Sequence, residues 1–183
     1  MVLALAGRRI DDPKEKVVSF PLKNISDVRA KLKSLFISLK PSALVSSGSC
    51  GADLLALEVA GELGIARSMI LPFSPELFKS RSVEDRPGDW SHLFDRIYEQ
   101  VKKEEKVLIM NYPVDDADAY RKTNVEILKR AQVLSERQDD NKFVRAVVVW
   151  ESGSKGDKDS SAHFKNEAEQ RGFRVVEVNT LPE

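Results

Sequence analysis

The stretch "SALVSSGSCGADLLALEVAGELGI" (residues 42–65) decides how this chain reads. An apolar run, "ALVS" (43–46), meets the small residues Ser47, Gly48, Ser49, Cys50 and Gly51. A helical pattern follows at once, with Ala52, Leu55, Ala56, Val59, Ala60 and Leu63 recurring at 3.6-residue spacing. Gly64 stands where helices favour a stop. "RSMILPF" (67–73) is the next apolar run, closed by Pro72. Strand, glycine-rich turn, helix and strand form the repeating unit of a parallel sheet.

The same alternation extends in both directions. "VLALA" (2–6) has the length of a strand. Asn24 is placed to cap a helix with Ile25, Val28, Leu32, Leu35, Phe36 and Leu39 on one face, ended by Pro41. Leu93, Phe94, Ile97, Tyr98 and Val101 mark another helix, "KVLIM" (106–110) a short strand, and 118–137 a helix with Asn124, Ile127, Leu128, Ala131 and Leu134 on one face. "VRAVVVW" (144–150) is the strongest strand, 161–171 the last helix and "FRVVEV" (173–178) the last strand. Residues 74–90, with Pro75, Pro87 and Gly88, read as one long irregular connection. Several strands are apolar throughout, as in a parallel sheet covered on both faces. The expectation is a single α/β domain over residues 1–183, doubly wound and Rossmann-like, with its ligand beyond the carboxyl ends of the strands. The loops at that edge are 7–12, 47–51, 72–90, 111–118 and 151–160.

Composition excludes several classes. Basic and acidic residues number 29 each, so the chain lacks the basic excess of a protein that coats nucleic acid or anionic lipid. One cysteine, Cys50, allows no intrachain disulfide and suits a reducing cytoplasm. No apolar run approaches the roughly 20 residues of a membrane helix. The opening "MVLALAGRRI" is short for a signal peptide and carries its charges after the apolar part, so it reads as a buried strand. His92, His163 and Cys50 form no zinc set, and no metal or cofactor is required.

Two readings of residues 47–51 stand. Gly48 and Gly51 permit backbone angles and close approach closed to other residues. Ser47 and Ser49 add hydroxyls, and the next helix directs its N–H groups and positive dipole end at the loop. That suits a phosphate or carboxylate. In the other reading the segment is a strand-to-helix turn, and Asp53 complements the helix start. It is neither a Walker A loop nor a GxGxxG fingerprint.

The block "SSGSCGADLLALEVAGELGI", followed by "MILPF", is similar to the SLOG superfamily, the Rossmann-like group containing the LOG and DprA-type proteins. Many members carry Ser-Gly-Gly-x-x-Gly-Ala-Asp after the second strand. Gly48, Gly51, Ala52 and Asp53 match it, with Ser47 or Ser49 in place of a second glycine. "LAGRR", "TNVEILKRA" and "VVVWESGSKGDKDSSAHFKNEAEQRG" extend the likeness over most of the chain. The resemblance implies a nucleotide or nucleotide-derived signalling ligand, in a group often encoded beside bacterial defence effectors. The LOG enzymes, which cleave the base from nucleoside monophosphates, resemble one another in Pro-Gly-Gly-x-Gly-Thr followed by glutamates. Here the corresponding loop, residues 152–159, lacks Pro-Gly-Gly and Gly-Thr, which favours binding over hydrolysis.

The remaining candidates each carry two readings. Gly7 ends the first strand, and Arg8 and Arg9 behind it either pair with phosphate or sit as a solvated loop end. Phe73, Arg81 and the rest of the 73–90 segment either close over a ligand or pack on themselves. Trp150 lines the pocket edge or caps the core, and Asn124 bonds a ligand or a loop. Gly156 and Asp157 belong to the last loop. Asp157 or Asp159 reads ribose hydroxyls, or Asp159 or Ser160 caps the last helix. Cys50 is a nucleophile at a helix start or a small loop residue. No catalytic set is specified, because Glu76, Glu84, Asp85 and Glu126 are not brought together by spacing. The leading expectation is a cytoplasmic binder of a nucleotide-like small molecule. It touches neither membrane nor nucleic acid and signals through homo-oligomerisation or a partner. A nucleotide N-glycosidase and a protein-interaction module with a degenerate pocket are the alternatives.

Overall fold

A computed structural model describes residues 1–137, 143–153, 156 and 159–182. The apolar runs become strands β1 (Val2–Gly7), β2 (Ala43–Ser46), β3 (Ala66–Leu71), β4 (Val107–Ile109), β5 (Val144–Trp150) and β6 (Arg174–Asn179). Between them lie α1 (Ile25–Leu39), α2 (Ala52–Glu62), α3 (Pro75–Ser82), α4 (Ser91–Lys103), α5 (Ala119–Glu136) and α6 (Ser160–Gln170). All six strands are parallel in one sheet, in the order β4-β3-β2-β1-β5-β6.

This order explains the layering. The chain steps outward from β1 to β4, then crosses back to lay β5 on the other side of β1. Right-handed crossovers place the helices of the two journeys on opposite faces. Side chains of β1 alternate accordingly. Leu3 and Leu5 join Val28, Leu32 and Phe36 of α1, the apolar residues of α2, and Phe94, Ile97 and Val101 of α4. Val2, Ala4 and Ala6 join Ile127, Leu128 and Ala131 of α5 and Phe164 and Ala168 of α6. Helix α2 touches the sheet, α1 and α4, and it buries Asp53 along with its apolar residues.

The segment 74–90 is not irregular throughout, since α3 forms inside it. Ser74 caps that helix by accepting the Leu77 N–H at 3.3 Å, Pro75 stands in its first turn, and Phe78 is fully buried. Asn24 does sit at the start of α1 but does not cap it with its side chain. Its Nδ2 instead donates to the Thr180 carbonyl at 2.9 Å, tying α1 to the end of β6. Elsewhere the expected boundaries shift by one or two residues, as in β3, expected over 67–73 and found at Ala66–Leu71. Among the described residues no helix is long and apolar enough to cross a membrane, and no group of three or more His, Cys, Asp or Glu residues could hold a metal.

Candidate functional site

Reversal of strand order between β1 and β5 opens a crevice at their carboxyl ends. The connection leaving β1 turns to one face and the connection leaving β5 to the other, so nothing fills the gap between them. A cavity of about 710 Å³ lies there. Ala6 and Gly7 end β1 beneath it, while Ser47, Ser49 and Asp53 come from the β2–α2 turn. The start of α5 supplies Asp118, Tyr120, Arg121, Thr123 and Asn124, and the start of α6 supplies Ser160 and Ser161. Burial grades from floor to rim. Ala6, Asp53, Thr123, Asn124 and Ser161 are buried, Gly7, Arg9, Ser47, Ser49 and Arg121 half-buried, and Asp118, Tyr120 and Ser160 exposed.

The amino ends of α2, α5 and α6 converge on this space, so their positive dipole ends add. Their N–H groups are largely engaged. Ala52 N–H donates to the Arg8 carbonyl at 3.1 Å and Leu54 N–H to the Ser49 carbonyl at 3.2 Å. Ser161 and Ala162 N–H donate to the Asp159 carboxylate at 2.9 and 3.1 Å. The helices therefore contribute field more than direct hydrogen bonds.

Residues 47–51 turn inward on Asp53. Ser47 and Ser49 hydroxyls both donate to Asp53 Oδ2, at 2.5 and 3.0 Å, and the backbone N–H groups of Gly48 and Ser49 also face the carboxylate. The anion that these donors hold is the protein's own. Asp53 Oδ1 is buried and has no hydrogen-bond partner. Burial pushes the Asp53 carboxyl up, and the two hydroxyls and two N–H groups pull it back only in part.

The glycines of this turn serve packing. A Cβ on Gly51, at φ +89°, would lie 2.8 Å from the Arg8 carbonyl oxygen and 3.0 Å from Ile10 N. Gly48 is buried at φ +93° beneath Met69. Gly51 and Ala52 lie behind the cavity wall, against the segment that follows β1.

The two arginines after β1 part company. Arg9 lines the cavity and pairs with Asp85. Arg8 lies outside it. Its guanidinium meets Glu151 at 2.6 and 3.0 Å, Asp159 at 2.6 and 2.8 Å and the Gly153 carbonyl at 2.8 Å. Burial works against this cation, and the bonds to Asp159 and Glu151 outweigh it. Asp159 caps α6 at the same time, so its role is structural. Trp150 belongs to this neighbourhood rather than to the cavity. Its Nε1 donates to Glu177 at 2.7 Å, and Arg8 stands 5.8 Å from its ring centre.

Phe73 and Arg81 lie one layer behind the rim. Phe73 meets Tyr120 edge-to-face at 5.8 Å, and Arg81 stands over Phe73 at 5.6 Å while donating to the Val114 carbonyl at 2.9 Å. Asn124 lines the floor, and its Nδ2 donates to the Ser160 carbonyl and Oγ at 2.9 and 3.0 Å, joining α5 to α6. Gly156 is exposed and outside the cavity wall, where its carbonyl accepts the Asp159 N–H at 3.0 Å. Asp157 falls outside the described residues. Cys50 is buried, with its thiol pushed up by that burial against the opposing pull of Arg9, which disfavours a thiolate nucleophile.

No protein-family model matches this chain, and no curated protein matches it. The residues that sequence reasoning missed are those on the first turns of α5 and α6, above all Asp118, Tyr120, Arg121, Thr123 and Ser161. One signal for them existed. Tyr120 and Arg121 stand four and three residues before Asn124, the spacing that shares a helix face.

Proposed function

We propose that this cavity binds a nucleotide or a nucleotide-derived signalling molecule. The observation that carries the reading is the convergence of three helix amino ends on a cavity of about 710 Å³ at the reversal of strand order. That volume lies within the range of about 300–1,000 Å³ common to small-molecule sites. Arg9 and Arg121 offer guanidinium groups to a phosphate, and Tyr120 is the one aromatic ring among the described lining residues. The SLOG-like pattern at Gly48, Gly51, Ala52 and Asp53 supports the same ligand class. It also supports a bacterial, cytoplasmic setting with no fixed cofactor, in which a homo-oligomer or partner reads out occupancy.

Thermal unfolding with AMP, GMP, CMP, UMP, ADP-ribose and NAD tests the reading. A ligand at a hundred times its Kd stabilises by about 2.7 kcal/mol, or about 5–11 °C in Tm for a chain of this size. If no nucleotide raises Tm at millimolar concentration and native mass spectrometry finds no co-purified small molecule, the cavity is a degenerate pocket in an interaction module. The buried Asp53 carboxyl on the cavity floor favours one second reading, nucleotide N-glycoside hydrolysis. Free base released from AMP at about 1 s⁻¹ or faster, and lost in Asp53→Asn, would establish it.

A further inference from the structure

Arg9 lines the cavity, yet part of the guanidinium edge that an anion needs is already taken. Its Nη2 donates to Asp85 Oδ1, and the pair is open to solvent, with the two side chains 28% and 35% exposed. Nε of Arg9 is buried without a hydrogen-bond partner, so a ligand in the cavity does not reach it. A phosphate bound through two parallel N–H groups must therefore use Nη1 and Nη2, and must take Nη2 from Asp85. Asp85 has a second place to go. It belongs to the connection between α3 and α4, and its other oxygen, Oδ2, lies 3.8 Å from Nε of the adjacent Arg86. That N–H is buried and has no hydrogen-bond partner, which is costly for a buried donor. Arg86 is itself held in place, with Nη1 on Asp12 at 2.8 Å and Nη2 3.8 Å from Glu15. A shift of about 1 Å would bring the carboxylate within ordinary hydrogen-bond length of Arg86 Nε. One carboxylate thus sits between two guanidinium groups, bonded to the one that lines the cavity and just short of the other.

We propose that Asp85 is an exchangeable counter-ion for Arg9: the phosphate of the ligand takes Arg9, and Asp85 passes to Arg86. The inference rests on the nucleotide reading above and deepens it by naming how that site is regulated. The displaced carboxylate satisfies the Arg86 N–H, which offsets part of the cost of breaking its bond to Arg9. Asp85 therefore lowers the affinity for any ligand that brings an anion to Arg9, and it leaves neutral ligands unaffected. It acts through Arg9 and does not touch the ligand, so it is a positioning residue. The exchange also carries occupancy of the cavity to the surface. Glu84, Asp85 and Asp89 of the α3–α4 connection are exposed, and the move of Asp85 from one arginine to the next changes the charge pattern that this connection presents.

Calorimetric titration of the full chain at low ionic strength with AMP, GMP, CMP and UMP, each beside its nucleoside, tests this. For the base that binds, Asp85→Asn is expected to tighten the nucleotide about 2–5-fold, the scale of a partly exposed ion pair, and to leave the nucleoside within about 1.5-fold. Asp85→Ala is expected to act in the same direction. Arg86→Gln is expected to weaken the nucleotide by a similar factor while Asp85 is present and to have no effect in the Asp85→Asn background, because the receiving N–H matters only to the carboxylate it receives. Nucleotide binding that is weaker or unchanged in folded Asp85→Asn would overturn the proposal and leave the nucleotide reading standing. So would equal tightening of the nucleoside, or an Arg86→Gln effect that is the same with and without Asp85. Absence of binding by every nucleotide, to wild type and variants alike, would remove both the reading and the inference.

Discussion

Arg8→Ala is expected to unfold this protein long before it empties the cavity. The guanidinium is 9% exposed, the Asp159 carboxylate 0% and the Glu151 carboxylate 11%. Five hydrogen bonds join Arg8 to the two carboxylates and the Gly153 carbonyl. Alanine removes the cation that joins the two carboxylates. Breaking a buried pair by removing one partner costs about 3–5 kcal/mol. Asp159 also loses the group that holds it against the start of α6, so the cap weakens with the pair. At a urea m-value of about 2 kcal/mol/M, the midpoint should fall by about 1.5–2.5 M. Trp150, beside Arg8, reports the transition by fluorescence, and circular dichroism checks that the loss is global. Below the transition, nucleotide affinity should stay within about threefold of wild type. A midpoint shift under about 0.5 M, or a nucleotide affinity that collapses in a still-folded variant, would refute the assignment of Arg8 to the scaffold.

The other expectations concern the cavity and its turn. Arg9→Ala should cost about 1.5–3 kcal/mol in nucleotide affinity, the scale of a charged hydrogen bond, and much less for the matching nucleoside; calorimetry with both ligands compares them. Gly51→Val should destabilise by about 3 kcal/mol or more, from strain at positive φ plus overpacking, because its Cβ meets the Arg8 carbonyl at 2.8 Å. Gly64→Ala, at φ +69° with nothing within 4 Å of the new Cβ, should cost only about 1–2 kcal/mol by the same denaturation assay. Asp53 is raised in the folded protein, so the fold binds its proton more tightly than the unfolded chain does. Its contribution is most favourable below the ordinary aspartate range and is lost as pH rises through the folded value. Asp53→Asn should therefore gain in Tm relative to wild type between pH 4 and 8, and a relative loss would contradict the sign.

Much of the architecture was legible because the apolar periods are strong. Val2 to Ala6, Val144 to Trp150 and the 3.6-residue pattern from Ala52 announce themselves locally, and their alternation carries the parallel topology. Helix α3 was missed although Ser74 and Pro75 are start signals, because charges and prolines around it suggest a loop. The site was legible by region more than by residue. Arg8 and Arg9 are adjacent and chemically identical, and only the arrival of Glu151 and Asp159 from the far end of the chain separates a brace from a cavity residue. Likewise the small residues 47–51 have the composition of an anion cradle. What their hydroxyls meet depends on a rotamer of Asp53 four to six residues away, which no spacing rule specifies.

The pairing of β1 with β5, Val2 opposite Val144 through Gly7 opposite Val149, has a consequence for synthesis. Of the strands in this sheet, β1 is the first to be synthesised, yet its pairing with β5 is among the last to be completed. At about 5–20 residues per second, one flank of β1 waits roughly 7–28 s for its neighbour to be translated. Through that interval Val2, Leu3, Ala4 and Leu5, fully buried in the finished protein, belong to a sheet with an open hydrogen-bonding edge and one face still uncovered. Nascent chains that have not yet completed β5 are therefore expected to be clients for a holding chaperone rather than small folded proteins. Slowing translation within β5 should lengthen that dependence more than the same pause placed after β6.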